Sequence, residues 1–321
     1  MGKIAFVFPG QGSQFVGMGK DLYDNFPEIR NLYEEANDMV GFSLSNLCFY
    51  GPEEQLRQTC NTQPALLITS IAILKSMELM GIDIQADFAA GHSLGEYTAI
   101  VAADGLTYQS AISLVRKRGQ YMEQAAANGV GKMSAVLGMD RSILEKMCKD
   151  VSNSNSFVQL ANMNCPGQII ISGHKEAIDK VSEIAKEQGA KRVIALDVSG
   201  PFHSKLMQPA RDDLRYAIDE AKFVDTTIPV ISNVNAQEVI NSEQIKQLLL
   251  EQLTSAVLWE DSIMYLIDQG VDTFIEIGPG KVLTGLIKKI DRNSIVYNVH
   301  DLDSLTNLQK AIADKEYIRQ I

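Results

Sequence analysis

The sequence predicts an α/β protein in two parts: a large body built on a mainly parallel sheet, and a small βαββαβ unit inserted into it. Three observations predict this. Apolar strand runs alternate with helical segments in the first part of the chain, the middle reads strand, helix, strand, strand, helix, strand, and the alternation then resumes. The body takes residues 1–128 and 200–321, and the insert 129–199. At 321 residues the chain exceeds the common domain size, which suits one large domain carrying a smaller one.

Lys3 to Phe8 is a short apolar run that reads as the first strand, followed by the glycine-rich loop PGQGSQFVGMG. Residues 20–40 have helical spacing, with Leu22, Phe26, Ile29, Leu32, Tyr33 and Ala36 on one side. A buried helix is expected from about Pro64 to Met80, ended by Gly81. Phe88 to Gly91 is a strand running into Ser93, and Leu94 to Ala103 continues as a helix up to Asp104-Gly105. The insert begins after AAANGVGK, with strand MSAVLG, helix DRSILEKMCKDV and strands FVQLANMN and QIIISG. Helix KEAIDKVSEIAKEQG and strand KRVIALDVS complete it before GPFHS. Beyond it TIPVISNV, TFIEIG and SIVYNV read as strands, with helical segments between them.

Composition narrows the function. Hydrophobic content of 45% and charged content of 21% are those of an ordinary globular enzyme. The net charge of −11 disfavours non-specific nucleic-acid binding, although Arg116-Lys117-Arg118, Lys191-Arg192 and Lys288-Lys289 are short basic clusters. Solvated helix faces are the favoured explanation of any one such cluster. Four scattered cysteines without C-x-x-C spacing suggest neither a zinc site nor a disulfide framework. The first strand is too short for a signal peptide, and PALLITSIAIL carries Thr69 and Ser70 and ends at Lys75, so it reads as a buried helix. A cytoplasmic protein without a membrane or nucleic-acid partner is expected.

Gly91, Ser93 and Gly95 spell G-x-S-x-G between a strand and a helix, the context of a nucleophile elbow. A serine hydroxyl needs a base within hydrogen-bond reach, and the chain has four histidines. His92 adjoins the serine and points away from it, and His174 opens a helix of the insert. His300 follows the last strand, where a hydrolase would carry its base. His203 lies in SGPFHSKLM, on a turn where the insert returns to the body and so at the mouth of the cleft. It is the better placed. The loop GQGSQ lacks the third glycine of a dinucleotide fingerprint; it reads either as a source of backbone N–H groups for an oxyanion or as a plain tight turn.

FPGQGSQ, GHSLGEYTA, RG, GPFHSKLM and EIGPGKVLTGL, in this order and spacing, resemble the malonyl-CoA:acyl-carrier-protein transacylases and the related polyketide acyltransferase domains. The resemblance runs from residue 4 to about 290. It implies an α/β-hydrolase-like body with a ferredoxin-like insert, and ping-pong malonyl transfer from malonyl-CoA to acyl carrier protein without metal or redox cofactor. Ser93 would be the nucleophile, His203 the base, and the backbone N–H groups of Gln11 and Leu94 the oxyanion hole. Arg118 would pair with the malonyl carboxylate, a task for which arginine's planar fork suits better than lysine. Gln252 would orient the histidine through its main chain, and Asn162 would stand near the cleft. Phe202 resembles the bulky residue of members that take unbranched malonyl.

One position departs from the pattern, Ala256 standing where most relatives carry proline. The client could belong to fatty-acid or polyketide synthesis, and the chain is expected to be a monomer. A serine hydrolase or thioesterase would share the elbow but has no use for Arg118, and a scaffolding protein would have little use for serine, histidine and arginine together. Because carrier proteins are acidic, Lys191, Arg192, Lys288 and Lys289 are candidates for a basic docking patch.

Overall fold

Along β1 (Lys3–Phe8) side chains alternate between two cores: Ile4, Phe6 and Phe8 enter one, Ala5 and Val7 the other. A strand buried on both faces belongs inside a parallel sheet covered by helices on each side. The computed structural model, which describes residues 2–126 and 129–314, puts β1 there. Residues 127 and 128, beside the expected junction of body and insert, lie outside the described residues, as do 1 and 315–321.

The main sheet has six strands. Its order is β10 (Ile295–Val299), β9 (Val271–Ile277), β1, β2 (Phe88–Gly91), β7 (Val230–Ile231) and β8 (Glu238–Val239). All pairs are parallel except β7–β8. One face is covered by α5 (Thr59–Leu79), α6 (Leu94–Ala102), α7 (Tyr108–Ala126) and α10 (Gln208–Glu220). Trp259 and Ile263 of α12 (Trp259–Asp268) and Leu286 and Ile287 of α13 (Val282–Ile290) fill the other face. Helices α1 (Lys20–Asn25), α2 (Pro27–Val40), α3 (Leu44–Tyr50) and α4 (Glu53–Leu56) precede α5; α11 (Ser242–Gln252) follows β8, and α14 (Leu302–Asp314) ends the described chain.

The insert is β3 (Gly131–Leu137), α8 (Arg141–Val151), β4 (Val158–Cys165), β5 (Gln168–His174), α9 (Lys175–Glu187) and β6 (Arg192–Ala195). Its strands run antiparallel in the order β4-β5-β3-β6. Leu144, Met147, Ile178 and Val181 cover one face of this sheet. Met133, Ala135, Ala161 and Ile170 on the other face join the core of the body. Two backbone bonds stitch the parts together, Met163 N–H to Val257 O (2.9 Å) and Val257 N–H to Ala161 O (2.8 Å).

Several expectations need correction. Residues 20–40 form two helices, because Pro27 has no N–H to extend α1 and instead opens α2. The buried helix begins at Thr59, with Pro64 inside it. That proline leaves the Cys60 carbonyl without its helical donor, and Arg116 supplies one at 2.7 Å. KRVIALDVS and TIPVISNV contribute only four and two strand residues, Arg192–Ala195 and Val230–Ile231. The two-residue β8 and the short helices α3 and α4 carry too little periodicity to be read from sequence.

The motif EIGPGKVLTGL is structural. Buried Glu276 accepts the N–H groups of Leu283 and Thr284, the Thr284 hydroxyl and the Asn298 amide, so its carboxylate anchors the start of α13.

Candidate active site

Three adjacent parallel strands end at one place. The loop after β1 brings Gln11, the turn after β2 brings Ser93, and the residue two places beyond β7 is Asn233. The carboxyl ends of parallel strands are where open α/β sheets build sites. Ser93 sits at φ 52°, in the left-handed region, immediately before α6. The flanking glycines are required by close approach: a Cβ at Gly91 would lie 1.9 Å from the Gly95 carbonyl, and one at Gly95 2.0 Å from the Phe8 oxygen. Strand and helix cross too tightly for side chains, and the serine is pushed to the tip. The Leu94 N–H, in the first turn of α6, has no intrahelical acceptor and lies at the positive end of the helix dipole.

His203 also has a positive φ, 56°. Its Nδ1 lies 2.9 Å from the Gln252 carbonyl, and its Nε2 lies 2.8 Å from Ser93 Oγ. A carbonyl only accepts, so Nδ1 carries the proton and the neutral ring presents a lone pair at Nε2 to the serine hydroxyl. Gln252 is the last residue of α11, and its carbonyl is one of those a helix end leaves unpaired. Burial, with the nearby Arg118 charge second, pulls the His203 pKa down to about 3.

Arg118 of α7 is 1% exposed. Its Nη1 donates to Gln63 Oε1 (2.8 Å), and its Nη2 to Gln252 Oε1 (2.9 Å) and Ser93 Oγ (3.2 Å). All three acceptors are neutral, and Nε has no partner among the described residues. The Tyr97 ring lies beneath the guanidinium. Burial lowers the Arg118 pKa, opposed by Tyr97 and Glu96. A buried cation bonded only to neutral oxygens is costly to keep unless an anion joins it.

Gln252 and Glu96 tie these groups together. The Gln252 amide donates to the Ser93 carbonyl (3.1 Å) and to Glu96 Oε2 (2.7 Å). Glu96 also accepts the Asn233 N–H, and burial pushes its carboxyl up to about 7. Asn233 in turn accepts the Ser93 N–H (2.7 Å) and donates to the Gly91 carbonyl (2.7 Å).

A cleft of about 110 Å³ opens onto this network, lined by Gln11, Ser93, Leu94, Arg118, Asn162, Phe202 and His203 among others. Sites that bury a whole drug-sized ligand run to about 300–1,000 Å³; this one has room for a short acyl group. All eight residues singled out from the sequence therefore meet here, Gln252 through its bonds to Arg118 and His203. Of the other histidines His92 alone also lines the cleft, and none bonds to Ser93 among the described residues. His92 is turned to Asn164 (2.9 Å), His174 joins Phe157, and His300 pairs with Asp301. Ala256 borders a separate cavity between α8, β4 and the start of α12.

Gln63, Glu96, Asn164 and Asn233 were missed from sequence. Glu96 lies within GHSLGEY itself, and Asn233 directly follows a strand end, signals that could have drawn attention. Among the described residues no helix is long and apolar enough to cross a membrane.

Residues 5–319 match the model of the acyl transferase domain family. A malonyl CoA-acyl carrier protein transacylase of Bacillus subtilis is 51% identical over 305 residues, covering 95% of this chain and 96% of that relative. The solved malonyl CoA-acyl carrier protein transacylase of Coxiella burnetii superposes with a TM-score of 0.93 at 39% identity, over 96% of this chain and 97% of that one. A malonyl-transacylase solved in complex with its type II PKS acyl-carrier protein gives 0.92 at 39% identity, over 96% and 99%.

Proposed function

The chain belongs to the acyl transferase domain family, and on that premise we propose that it moves a malonyl group from malonyl-CoA to the pantetheine thiol of acyl carrier protein, feeding fatty-acid synthesis. The observation that carries this reading is the buried Arg118, bonded to neutral oxygens beside Ser93. A hydrolase of neutral esters has no use for a cation there; an acyl group ending in a carboxylate does.

In the first half-reaction His203 Nε2 takes the Ser93 proton as Oγ attacks the thioester carbonyl. The Gln11 and Leu94 N–H groups hold the oxyanion; a donor of this kind contributes about 2.7–4 kcal/mol. The Gln252 carbonyl, at the negative end of α11, stabilises the imidazolium. The imidazolium then protonates the departing coenzyme A sulfur, leaving a malonyl ester on Ser93. In the second half the carrier thiol gives its proton to His203, attacks the ester and restores the serine. Each step moves one acyl group and one proton, so the cycle routes nothing through a metal or redox cofactor.

Phe202, with Asn162 across the cleft, leaves room for an unbranched acyl group. Ser93, His203, Arg118 and Gln252 come from one chain, so a monomer carries a whole site. Four free cysteines suit a reducing cytoplasm. For carrier docking, Lys191, Arg192 and Lys289 gather at the Gly138–Gly167 end of the small sheet: Lys191 packs on Gly138, and Lys289 bonds Gln168. Lys288 instead gives its ammonium to the Ser294 carbonyl.

The test is to supply malonyl-CoA and a phosphopantetheinylated carrier and weigh the carrier. Malonyl-carrier is the expected product, and free malonate with unmodified carrier would make the protein a thioesterase. Faster transfer to a polyketide-type carrier than to a fatty-acid carrier would reassign the client, a reading favoured by the solved complex with a type II PKS carrier.

A further inference from the structure

Both reacting side chains leave the backbone at a positive φ, 52° at Ser93 and 56° at His203. Non-glycine residues hold such conformations only where their surroundings impose them. The nucleophile and base must also meet at 2.8 Å across two parts of the chain 110 residues apart. Something has to fix each turn.

At Ser93 the amide of Asn233 spans the turn. Its Oδ1 accepts the Ser93 N–H and its Nδ2 donates to the Gly91 carbonyl, each at 2.7 Å. Asn233 is itself buried and held at both ends, its N–H by Glu96 and its carbonyl by the Leu258 N–H. At His203 the amide of Gln159 plays the same part. Its Nε2 donates to the His203 carbonyl (3.2 Å) and to the Thr254 carbonyl (3.3 Å), while its Oε1 accepts the Lys205 N–H (3.2 Å). Gln159 lies on β4, so the insert braces the turn of the base and the neighbouring loop after Gln252, which orients it.

We propose that Asn233 and Gln159 are positioning residues, two neutral amides that each brace one strained turn and so fix the distance between Ser93 and His203. This deepens the transfer reading above and rests on it. Chemistry favours an amide at both places. Each turn offers one donor and one acceptor, which an amide satisfies at once. A carboxylate would face a backbone carbonyl and set a charge beside the developing oxyanion, and an apolar side chain would satisfy neither group.

The experiment measures single-turnover malonyl loading per titrated active site, together with the rate at which phenylmethylsulfonyl fluoride sulfonylates Ser93. The variants are Asn233→Ala, Asn233→Asp, Gln159→Met and Gln159→Glu. Misplacing reacting groups by about 1 Å costs about a hundredfold in rate. A loss of that order is expected for Asn233→Ala and about tenfold for Gln159→Met, with the KM for malonyl-CoA held within about twofold. Asn233→Asp keeps the acceptor for the Ser93 N–H and is expected to fall between Ala and wild type; it also carries the test should Asn233→Ala not fold. Sulfonylation is expected to slow in parallel, because the braces act on the nucleophile and not on malonyl recognition. Unchanged rates per titrated site, with only a lower Tm or fewer active sites, would make both residues merely structural and overturn the proposal. A wild-type protein that is sulfonylated but never takes up malonyl would overturn the functional reading instead, while the sulfonylation rates still decide on the braces.

Discussion

The Arg118 guanidinium donates to the Ser93 hydroxyl at 3.2 Å. The cation assigned to cargo recognition is thus already beside the nucleophile before any cargo arrives, donating to the oxygen whose own proton points to His203. A carboxylate entering the cleft offers it a better acceptor, and each charge-assisted bond contributes about 1.5–3 kcal/mol. Arg118→Ala is therefore expected to cut malonyl loading by about 10²–10⁴-fold, two such bonds, and to retain or improve acetyl loading. Equal losses for both acyl groups would make the arginine structural.

The pH profile tests the environment of His203. Its pKa is pulled down to about 3, first by burial and then by Arg118, so the ring stays in its base form far below the usual 6.5. The acid limb of malonyl loading in the free enzyme is expected well under pH 6.5, and Arg118→Gln is expected to move it upward. The unfolded chain takes up a proton on this histidine that the native state refuses. The native state therefore loses stability as pH falls below 6.5 toward about 3, and His203→Gln is expected to flatten that part of the stability curve. An acid limb at 6.5 in the wild type would contradict the burial account.

Phe202 lines the cleft next to His203. Phe202→Ala is expected to raise the ratio of methylmalonyl to malonyl loading by about 10–200-fold, the range one methyl group commands in an apolar pocket. Truncating a buried phenylalanine also costs about 3–5 kcal/mol of stability, so the ratio and not the absolute rate is the measurement.

Reversing the charge of Lys191 or Lys289 is expected to raise the KM for carrier protein several-fold and to steepen no step of malonyl-CoA loading. Lys288→Glu is expected to have a smaller effect, since its ammonium already serves the Ser294 carbonyl. Unchanged carrier kinetics in all variants would remove the patch.

Ser93 was legible from its motif and its place between strand and helix, and His203 was favoured over His300 by its position where the insert returns to the body; Arg118, in a cluster that a solvated helix face explains, owed its role to the family resemblance. The two-part architecture was legible from the switch in element order alone. What the sequence hid has a common physical cause. Asn233, Gln159 and Gln63 are neutral amides whose meaning lies wholly in which backbone turn or guanidinium they reach, and no spacing encodes that. Pro64 misled because a proline more often opens a helix than sits within one; here Arg116 replaces the donor that the Cys60 carbonyl lost. EIGPG, read as a family mark, turned out to hold a helix anchor.

The central claim is that Ser93 carries the malonyl group, and the intact mass of the protein after mixing with fresh malonyl-CoA tests it most directly. One added malonyl group is expected, mapping to the peptide that contains Ser93, absent from Ser93→Ala and discharged by carrier thiol. No adduct on the wild type, or an adduct that persists in Ser93→Ala, would contradict the account.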